Sequence, residues 1–170
     1  MLHLAAAALL FCSAPQEKAK AADDAEETVA AKKGNLTPVY ELEAVYATNL
    51  HAPLALTQLA LPHMDEGATI LNVTSDAAVE AYEGWGGYGS SKAALEQLTR
   101  VLAVEHPQLR IHAVDPGDMR TAMHQDAFPD EDISDRPLPR TVVPHLLELL
   151  EQRPSSGRYR AADIAVKVGA

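Results

Sequence analysis

Apolar residues along this chain recur with different periods in successive segments. In the segment 41–61 they return every three or four positions, for example at Leu42, Tyr46 and Leu50, as on one face of a helix. The segment 68–74 is instead almost continuously apolar, which is typical of a strand covered on both faces. The pattern therefore predicts a helix followed by a buried strand.

The same order of elements repeats further along the chain. Residues 90–105 carry an apolar helical stripe that includes Leu95 and Leu102, and Pro107 ends it. Residues 109–114 form the next strand-like run. Two helix-then-strand units in succession predict parallel strands joined by right-handed crossovers, and hence an α/β sheet.

The C-terminal part continues this alternation. Thr141 is predicted to cap a helix that runs to about Gln152, with Pro144 tolerated in its first turn. Gly157 then leads into Tyr159 and a short end strand.

The first 35 residues do not fit this alternation. Met1–Cys12 is apolar, but no Lys or Arg precedes it and it is too short to span a bilayer as a helix. Three interpretations stay open for it: a signal-peptide core, the buried end of a strand or helix, or a non-native start left by truncation or a shifted gene start. Gln16–Lys33 is rich in charged and helix-forming residues, which predicts a solvated helix or a loose tail. Residues 1–35 are therefore an atypical N-terminal segment.

Composition narrows the class of protein. A chain of 170 residues that is 47% hydrophobic and 22% charged is long enough for one folded domain. Its net charge of −10 disfavours nucleic acid and anionic membranes as partners. The single Cys12 excludes an internal disulfide, which fits a reducing compartment, and we expect a cytoplasmic protein. No metal site is predicted, because the seven histidines show no metal-binding spacing with a carboxylate.

Candidate chemistry is concentrated between Ser75 and Lys92. Tyr88 and Lys92 lie four residues apart, so on a helix they share one face, and a nearby ammonium would lower the pKa of the phenol. Tyr88 would then be usable as an acid or base near neutral pH. Ser75 follows the predicted strand at 68–74, and its hydroxyl could reach the same pocket.

The loop before this helix formally matches a dinucleotide-binding pattern. Residues 84–89 read Gly-Trp-Gly-Gly-Tyr-Gly, but no strand runs directly into this turn and no acidic residue ends a strand about twenty positions later. We interpret the match as accidental and expect the glycines to allow close approach of the backbone. Tyr82 and Trp85 are either walls of a substrate pocket or exposed aromatic residues of the loop.

Pro53 interrupts the predicted helix 41–61. Because proline has no N–H, the main-chain oxygen of Asn49 has no α-helical donor four residues later. The helix is therefore expected to be irregular at Asn49, either for a functional reason or because Pro53 only bends a packed helix.

Three motifs in this order resemble those of the short-chain dehydrogenase/reductase family. They are Asn72-Val73-Thr74-Ser75, then Tyr88-Gly89-Ser90-Ser91-Lys92, then Pro116-Gly117-Asp118-Met119-Arg120-Thr121. The resemblance runs from about Leu36 to about Asp163. It implies a Rossmann-like doubly wound parallel sheet, of which residues 36–170 would be the catalytic half, incomplete at the N-terminal, nucleotide-binding side.

The resemblance also implies roles for individual residues. Tyr88 would be the acid/base, Ser75 would bind the substrate oxygen, and Lys92 would hold the nicotinamide ribose. The main-chain carbonyl of Asn49 would bind a water that contacts Lys92. The cofactor would be NAD or NADP, with Tyr88, Lys92, Pro116, Gly117 and Thr121 near its nicotinamide end. The Asp- and Pro-rich segment 128–139 would be a loop over the substrate site or a plain surface loop.

Two family features do not occur between Met1 and Asn35. They are the Thr-Gly-x-x-x-Gly-x-Gly turn that holds the cofactor pyrophosphate and the Asn-Asn-Ala-Gly segment that follows the fourth strand. We therefore expect weak dinucleotide binding by this chain. Two functions stay open: an oxidoreductase acting on a small carbonyl or alcohol substrate, and a non-catalytic remnant that acts by association. The family commonly forms homo-oligomers through helices corresponding to 41–61 and 88–105.

Overall fold

The computed structural model describes residues 39–166 of the chain. The predictions for Met1–Cys12 and Gln16–Lys33 lie outside these residues. Three parallel strands form one sheet in the order β1-β2-β3: Thr69–Val73 is β1, Arg110–Asp115 is β2 and Gly157–Arg160 is β3. The predicted strands and their parallel pairing are therefore confirmed.

Five α-helices accompany the sheet. They are α1 (Val39–Tyr46), α2 (Ala52–Ala60), α3 (Gly86–Glu105), α4 (Ala122–Ala127) and α5 (Pro139–Gln152). A π-helical segment, Ala47–His51, joins α1 to α2, so the predicted helix 41–61 exists but is irregular where Asn49 lies. Short 3-10 turns cover Leu61–His63, Asp76–Ala78 and Ala161–Asp163.

Helices cover both faces of the sheet. On one face, Leu98 and Leu102 of α3 pack with Ile70 and Ile111. On the other, a buried cluster joins α5 to the strands through Val142, Leu146, Leu149, Leu71 and Val114. Since side chains alternate between the faces of a strand, the nearly continuous apolar run of β1 supplies both layers. The fold is the predicted Rossmann-like, doubly wound α/β arrangement.

Two helix starts differ from the sequence prediction. α5 begins at Pro139, because proline is preorganised for the first helical position and needs no N–H there. The hydroxyl of Thr141 donates to the carbonyl of Leu138 at 2.7 Å, so Thr141 is not the N-cap, and Pro144 lies beyond the first turn. α3 begins at Gly86, earlier than the predicted Ser90.

His112 is fully buried in β2. Among the described residues, neither ring nitrogen has a hydrogen-bond partner, and the ring of Tyr159 packs edge-on at 5.3 Å. Burial, assisted by the charge of Arg110, lowers the pKa of His112 to about 4. The imidazole is therefore neutral in the folded protein at pH 7.

This burial predicts that stability falls in mild acid. Below about pH 6.5 the unfolded chain gains a proton at His112 that the folded chain takes up only near pH 4, so stability is lost as the pH falls through this window. We expect His112 to account for a loss of about 2 kcal/mol between about pH 7 and pH 5. Urea unfolding at the two pH values measures it. His112→Leu should remove this part of the loss and the exposed control His63→Leu should retain it; an equal loss in both variants would contradict the assignment.

Candidate active site

The carboxyl ends of β1 and β2 place the first site residues side by side. The N–H of Thr74 donates to the carbonyl of Val114 at 2.8 Å and extends the strand pairing by one residue. Ser75 follows directly in extended conformation, and its hydroxyl accepts the N–H of Ala77 at 3.2 Å. The edge of a parallel sheet where strands end is the usual location of a ligand site in such folds.

Tyr88 and Lys92 lie on the first turns of α3, facing Ser75. The Ser75 hydroxyl is close enough to the Tyr88 phenol to act on its pKa, which it lowers. The ammonium of Lys92 lies 5.6 Å from the centre of the Tyr88 ring and donates to the carbonyl of Val73 at 3.1 Å. The structure therefore brings together the three side chains that the sequence grouped.

The electrostatics of this group differ from the sequence expectation. The pKa of Tyr88 is raised, first by burial and then by the negative charges of Asp76, Asp115 and Asp118, while the hydrogen bond with Ser75 opposes the rise. Burial also lowers the pKa of Lys92 to about 8. The expected lowering of the phenol pKa by Lys92 is thus not found: burial and the three carboxylates raise this pKa instead, and Tyr88 is a neutral phenol at pH 7.

Asn49 reaches the same region from the π-helical segment. Its side-chain amide donates to the hydroxyl of Ser91 at 3.0 Å, and that hydroxyl donates to the carbonyl of Tyr88 at 2.7 Å. Within the segment, the N–H of Ala52 donates to the carbonyl of Ala47, five residues back. Pro53 follows directly and is buried, so the predicted irregularity is confirmed.

The turn after β2 forms a further side of the candidate site. Gly117 has φ +73 and its N–H donates to the carboxylate of Asp115 at 2.9 Å; a Cβ added there would meet no atom within 4 Å. Pro116 and Gly117 thus present an open backbone surface at the sheet edge. Thr121 caps α4, its hydroxyl accepting the N–H of His124 at 3.1 Å.

Aromatic side chains cluster around Trp85, next to Tyr88. The ring of Trp85 lies 5.7 Å from that of Tyr88, 6.1 Å from that of Tyr82 and 5.6 Å from that of Phe128. Because Phe128 begins the segment 128–139, this contact favours a loop over the site rather than a plain surface loop.

Sequence reasoning missed an ionic network behind the site. The guanidinium of Arg158 donates to Glu96 at 2.9 Å, to Asp115 at 3.2 Å and to the carbonyl of Ser75 at 3.3 Å. Glu96 also accepts the Thr74 hydroxyl at 2.8 Å. Glu96 lies one turn beyond Lys92 and Asp115 directly precedes Pro116, so both acids could have been noticed. Their common partner, Arg158 on β3, could not have been recognised from the sequence.

The glycine pattern at 84–89 has a structural explanation. β1 ends at Val73, well before this turn, and Gly86 is already the first residue of α3. A Cβ on Gly89 would lie 2.7 Å from the carbonyl oxygen of Ala77. The glycine thus lets α3 approach the turn that follows Ser75, which supports the interpretation of the match as accidental.

These contacts predict opposite effects of alanine at two glycines of one helix. Gly89→Ala should destabilise the protein by about 1–3 kcal/mol, because the added methyl group must displace backbone atoms. Gly86→Ala is the matched control: its Cβ meets nothing within 4 Å, and we expect a change between zero and a gain of about 1 kcal/mol. Thermal or urea unfolding compares the two. Equal effects would contradict the close approach at Ala77.

Within residues 39–166, no group of three or more His, Cys, Asp or Glu side chains is placed to hold a metal ion. None of the helices in this part of the chain is long and apolar enough to cross a membrane.

Comparisons with known proteins agree with the geometry of the site. The family model described as short chain dehydrogenase matches residues 27–132. The uncharacterized oxidoreductase YciK of Escherichia coli (strain K12) is 35% identical over 109 residues, covering 62% of this chain and 43% of that protein. Sepiapterin reductase of Rattus norvegicus is 35% identical over 95 residues, 54% of this chain and 36% of that protein. The chain spans less than half the length of the curated relatives it matches.

Solved structures show the same relationship. A short chain dehydrogenase from Salmonella enterica serovar Typhi superimposes with a TM-score of 0.72 at 28% identity, covering 77% of this chain and 57% of that chain. A short chain dehydrogenase from Escherichia coli CFT073, complexed with NADPH, superimposes with a TM-score of 0.71 at 29% identity. The match covers 76% of this chain and 56% of that chain.

Proposed function

Because this chain belongs to the short chain dehydrogenase family, we propose that residues 36–170 form the catalytic half of an oxidoreductase that uses NAD or NADP to interconvert a carbonyl and an alcohol. The observation that carries the proposal is the convergence of Ser75, Tyr88 and Lys92 at the carboxyl edge of the sheet. The named relatives are oxidoreductases or reductases, and structural neighbours are complexed with NADP or NADPH, which supports the reaction class.

The residues at the sheet edge fit the nicotinamide end of such a cofactor. The turn at Gly117 is open where a side chain would otherwise project, and the half-buried Lys92 carries hydrogen-bond donors at the end of β1. We assign Tyr88, Lys92, Pro116, Gly117 and Thr121 to this end. When bound, the nicotinamide supplies or accepts a hydride. Among residues 39–166 we find no three-glycine turn that directly follows a strand, so pyrophosphate binding is not assigned to this part of the chain.

Tyr88 is the proton donor in this proposal. Its raised pKa keeps the phenol protonated at neutral pH, as required of an acid that protonates a carbonyl oxygen. Ser75 hydrogen-bonds the substrate oxygen, and Lys92, whose pKa of about 8 leaves it mostly charged at pH 7, stabilises the phenolate that remains. The main-chain carbonyl of Asn49 binds a water that links Lys92 to solvent and returns the proton.

The substrate is a small carbonyl or alcohol compound that enters beside the aromatic side chains. The ring of Trp85 packs against Tyr88 and also contacts Tyr82 and Phe128, so this aromatic group offers an apolar wall beside the proton donor.

A second candidate function is association through α2 and α3. Leu59, Val101 and Val104 are 71%, 41% and 80% exposed on these helices. Burying such side chains against a second copy would favour a homo-oligomer formed through segments 41–61 and 88–105. A non-catalytic chain could act through the same surface.

The two functions are separated by an assay of the purified protein. NADPH and NADH are each supplied at high concentration with a panel of aldehydes and ketones, and the loss of reduced nicotinamide is compared with the alcohol formed. We expect one alcohol formed per cofactor oxidised with at least one carbonyl. Absence of turnover with the whole panel, together with a stable oligomer by light scattering, would favour the association function.

A further inference from the structure

Four aromatic side chains form a continuous row that begins beside the proposed proton donor. The ring centre of Trp85 lies 6.1 Å from that of Tyr82 and 5.6 Å from that of Phe128, and the ring centres of Phe128 and His124 are 4.9 Å apart. These four residues are called the aromatic row below. Because Trp85 also lies 5.7 Å from the ring of Tyr88, the row connects the proton donor to Tyr82, which is 46% exposed.

The aromatic row lies outside the hydrophobic core. Among the described residues, the two buried clusters on the faces of the sheet include none of its four rings. Three of the rings are half-buried and that of Tyr82 is exposed. Val79 and Met123, which are close in sequence to Tyr82 and His124, are each 58% exposed. Aromatic and apolar side chains left partly exposed beside a site provide area that a ligand can cover.

A carboxylate lies at each end of the aromatic row. At one end, Asp76 accepts the hydroxyl of Tyr82 at 2.7 Å. At the other end, Asp118, whose side chain is 59% exposed, lies 3.9 Å from Nδ1 of His124. Arg136 also lies 3.9 Å from Asp118, beyond hydrogen-bonding distance. The two carboxylates disfavour a negatively charged group of a ligand placed between them.

The negative charge at the ends of the row also reaches the proton donor. Burial is the first cause that raises the pKa of Tyr88, and the charges of three carboxylates, including these two, raise it further. Lys92 is a cation beside the Tyr88 ring, but its ammonium donates to the carbonyl of Val73 at 3.1 Å. A ligand that reaches both the aromatic row and Tyr88 therefore meets aromatic rings with negative charge next to them. An uncharged aromatic group fits these surroundings better than an anion does.

We propose that the substrate of this chain carries an uncharged aromatic ring, which packs on the aromatic row while the carbonyl group lies beside Tyr88. This inference rests on the proposed function and names the substrate class for it. An aromatic ring adds edge-on or offset contacts to the burial of apolar area, and such contacts form at the centroid distances already present within the row. We expect them to tighten binding roughly 2- to 10-fold relative to a saturated ring of similar size.

The test uses Trp85 as a reporter of binding that needs no turnover. Trp85 is the only tryptophan in the chain, so tryptophan fluorescence reports on the aromatic row. The full chain is titrated, with and without NADP, with methyl phenyl carbinol and with methyl cyclohexyl carbinol, the alcohols of two matched ketones. Burial of apolar area alone gives the saturated ring no disadvantage. We expect a saturable change with both alcohols and a Kd roughly 2- to 10-fold lower for the aromatic one. A carboxylate added to the phenyl ring should raise the Kd about threefold or more.

Phe128→Leu tests the ring contact, because it keeps an apolar side chain and leaves the Trp85 reporter in place. The preference for the aromatic alcohol should fall to about half or less of its value in the unmodified protein. Met123→Leu is the matched control: Met123 is an exposed apolar residue of α4 without a ring, and its replacement should leave the preference unchanged. If Phe128→Leu fails to fold, as judged by circular dichroism, Tyr82→Leu at the exposed end of the row replaces it.

Several results would overturn the proposal. They are equal or tighter binding of the saturated alcohol, tighter binding of the carboxylate, and no saturable change with or without NADP. A preference for the aromatic alcohol that the loss of a ring from the row leaves unchanged would overturn it as well. Failure of the proposed oxidoreductase activity has a different signature, since the aromatic alcohol would then bind with the expected preference while no carbonyl compound is reduced.

Discussion

Replacing Tyr88 by phenylalanine is expected to reduce the rate of carbonyl reduction roughly 10²–10⁴-fold, the usual contribution of a positioned acid. The substitution removes the phenolic oxygen and keeps the ring, whose centre lies 5.7 Å from that of Trp85. Packing of α3 should therefore survive while the proton donor is lost. The measurement compares kcat/KM at one high, fixed concentration of NADPH, so weak cofactor binding affects both proteins alike.

Tyr159→Phe is the control for this substitution. It also removes a phenolic oxygen, but one that donates to the carbonyl of Ser155 on an exposed part of the chain. We expect its rate to stay within about twofold of the unmodified protein, as for a surface change with little effect on stability. A Tyr88→Phe protein that keeps its rate within tenfold would exclude Tyr88 as the acid.

Replacing Arg158 by methionine should destabilise the protein by about 3–5 kcal/mol, because removing one partner of a buried ion pair leaves uncompensated charge. The side chains of Glu96 and Asp115 are only 6% and 5% exposed, and Arg158 is the cation that bonds both. Removing the guanidinium should also destabilise the segment just after β1, because Arg158 donates a hydrogen bond to the carbonyl of Ser75 there. Urea unfolding at neutral pH gives the change in the free energy of unfolding.

Arg160→Met tests whether this effect belongs to the ion pairs. Arg160 lies on the same strand, is exposed, and should change stability by no more than about 0.5 kcal/mol. Arg158→Lys should give an intermediate loss, since it keeps the charge but cannot reproduce the planar fork of the guanidinium. Similar losses for Arg158→Met and Arg160→Met would show that the buried network contributes little.

The sequence by itself determined the sheet and the core of the site. β1 and β2 were predictable because strands buried on both faces need almost continuous apolar runs, and their order with the helices requires parallel pairing. Tyr88 and Lys92 were predictable as neighbours because four residues make about one helical turn. Pro53 marked the irregular helix because it has no N–H to donate.

Only the tertiary structure decided the electrostatics of the site. Tyr88 and Lys92 are neighbours on one helix, so their spacing can be read from the sequence. The charges that raise the Tyr88 pKa belong to Asp76, Asp115 and Asp118, which lie on other segments. The burial of Tyr88 depends on how α3 packs on the sheet. The direction of the Tyr88 pKa shift was therefore predicted wrongly from the Tyr88–Lys92 pair alone. The partnership of Arg158 with Glu96, across 62 positions of sequence, was equally hidden. Spacing along the chain specifies neighbours within one helix or strand, whereas charge, solvent exclusion and contacts between elements exist only after the chain has folded.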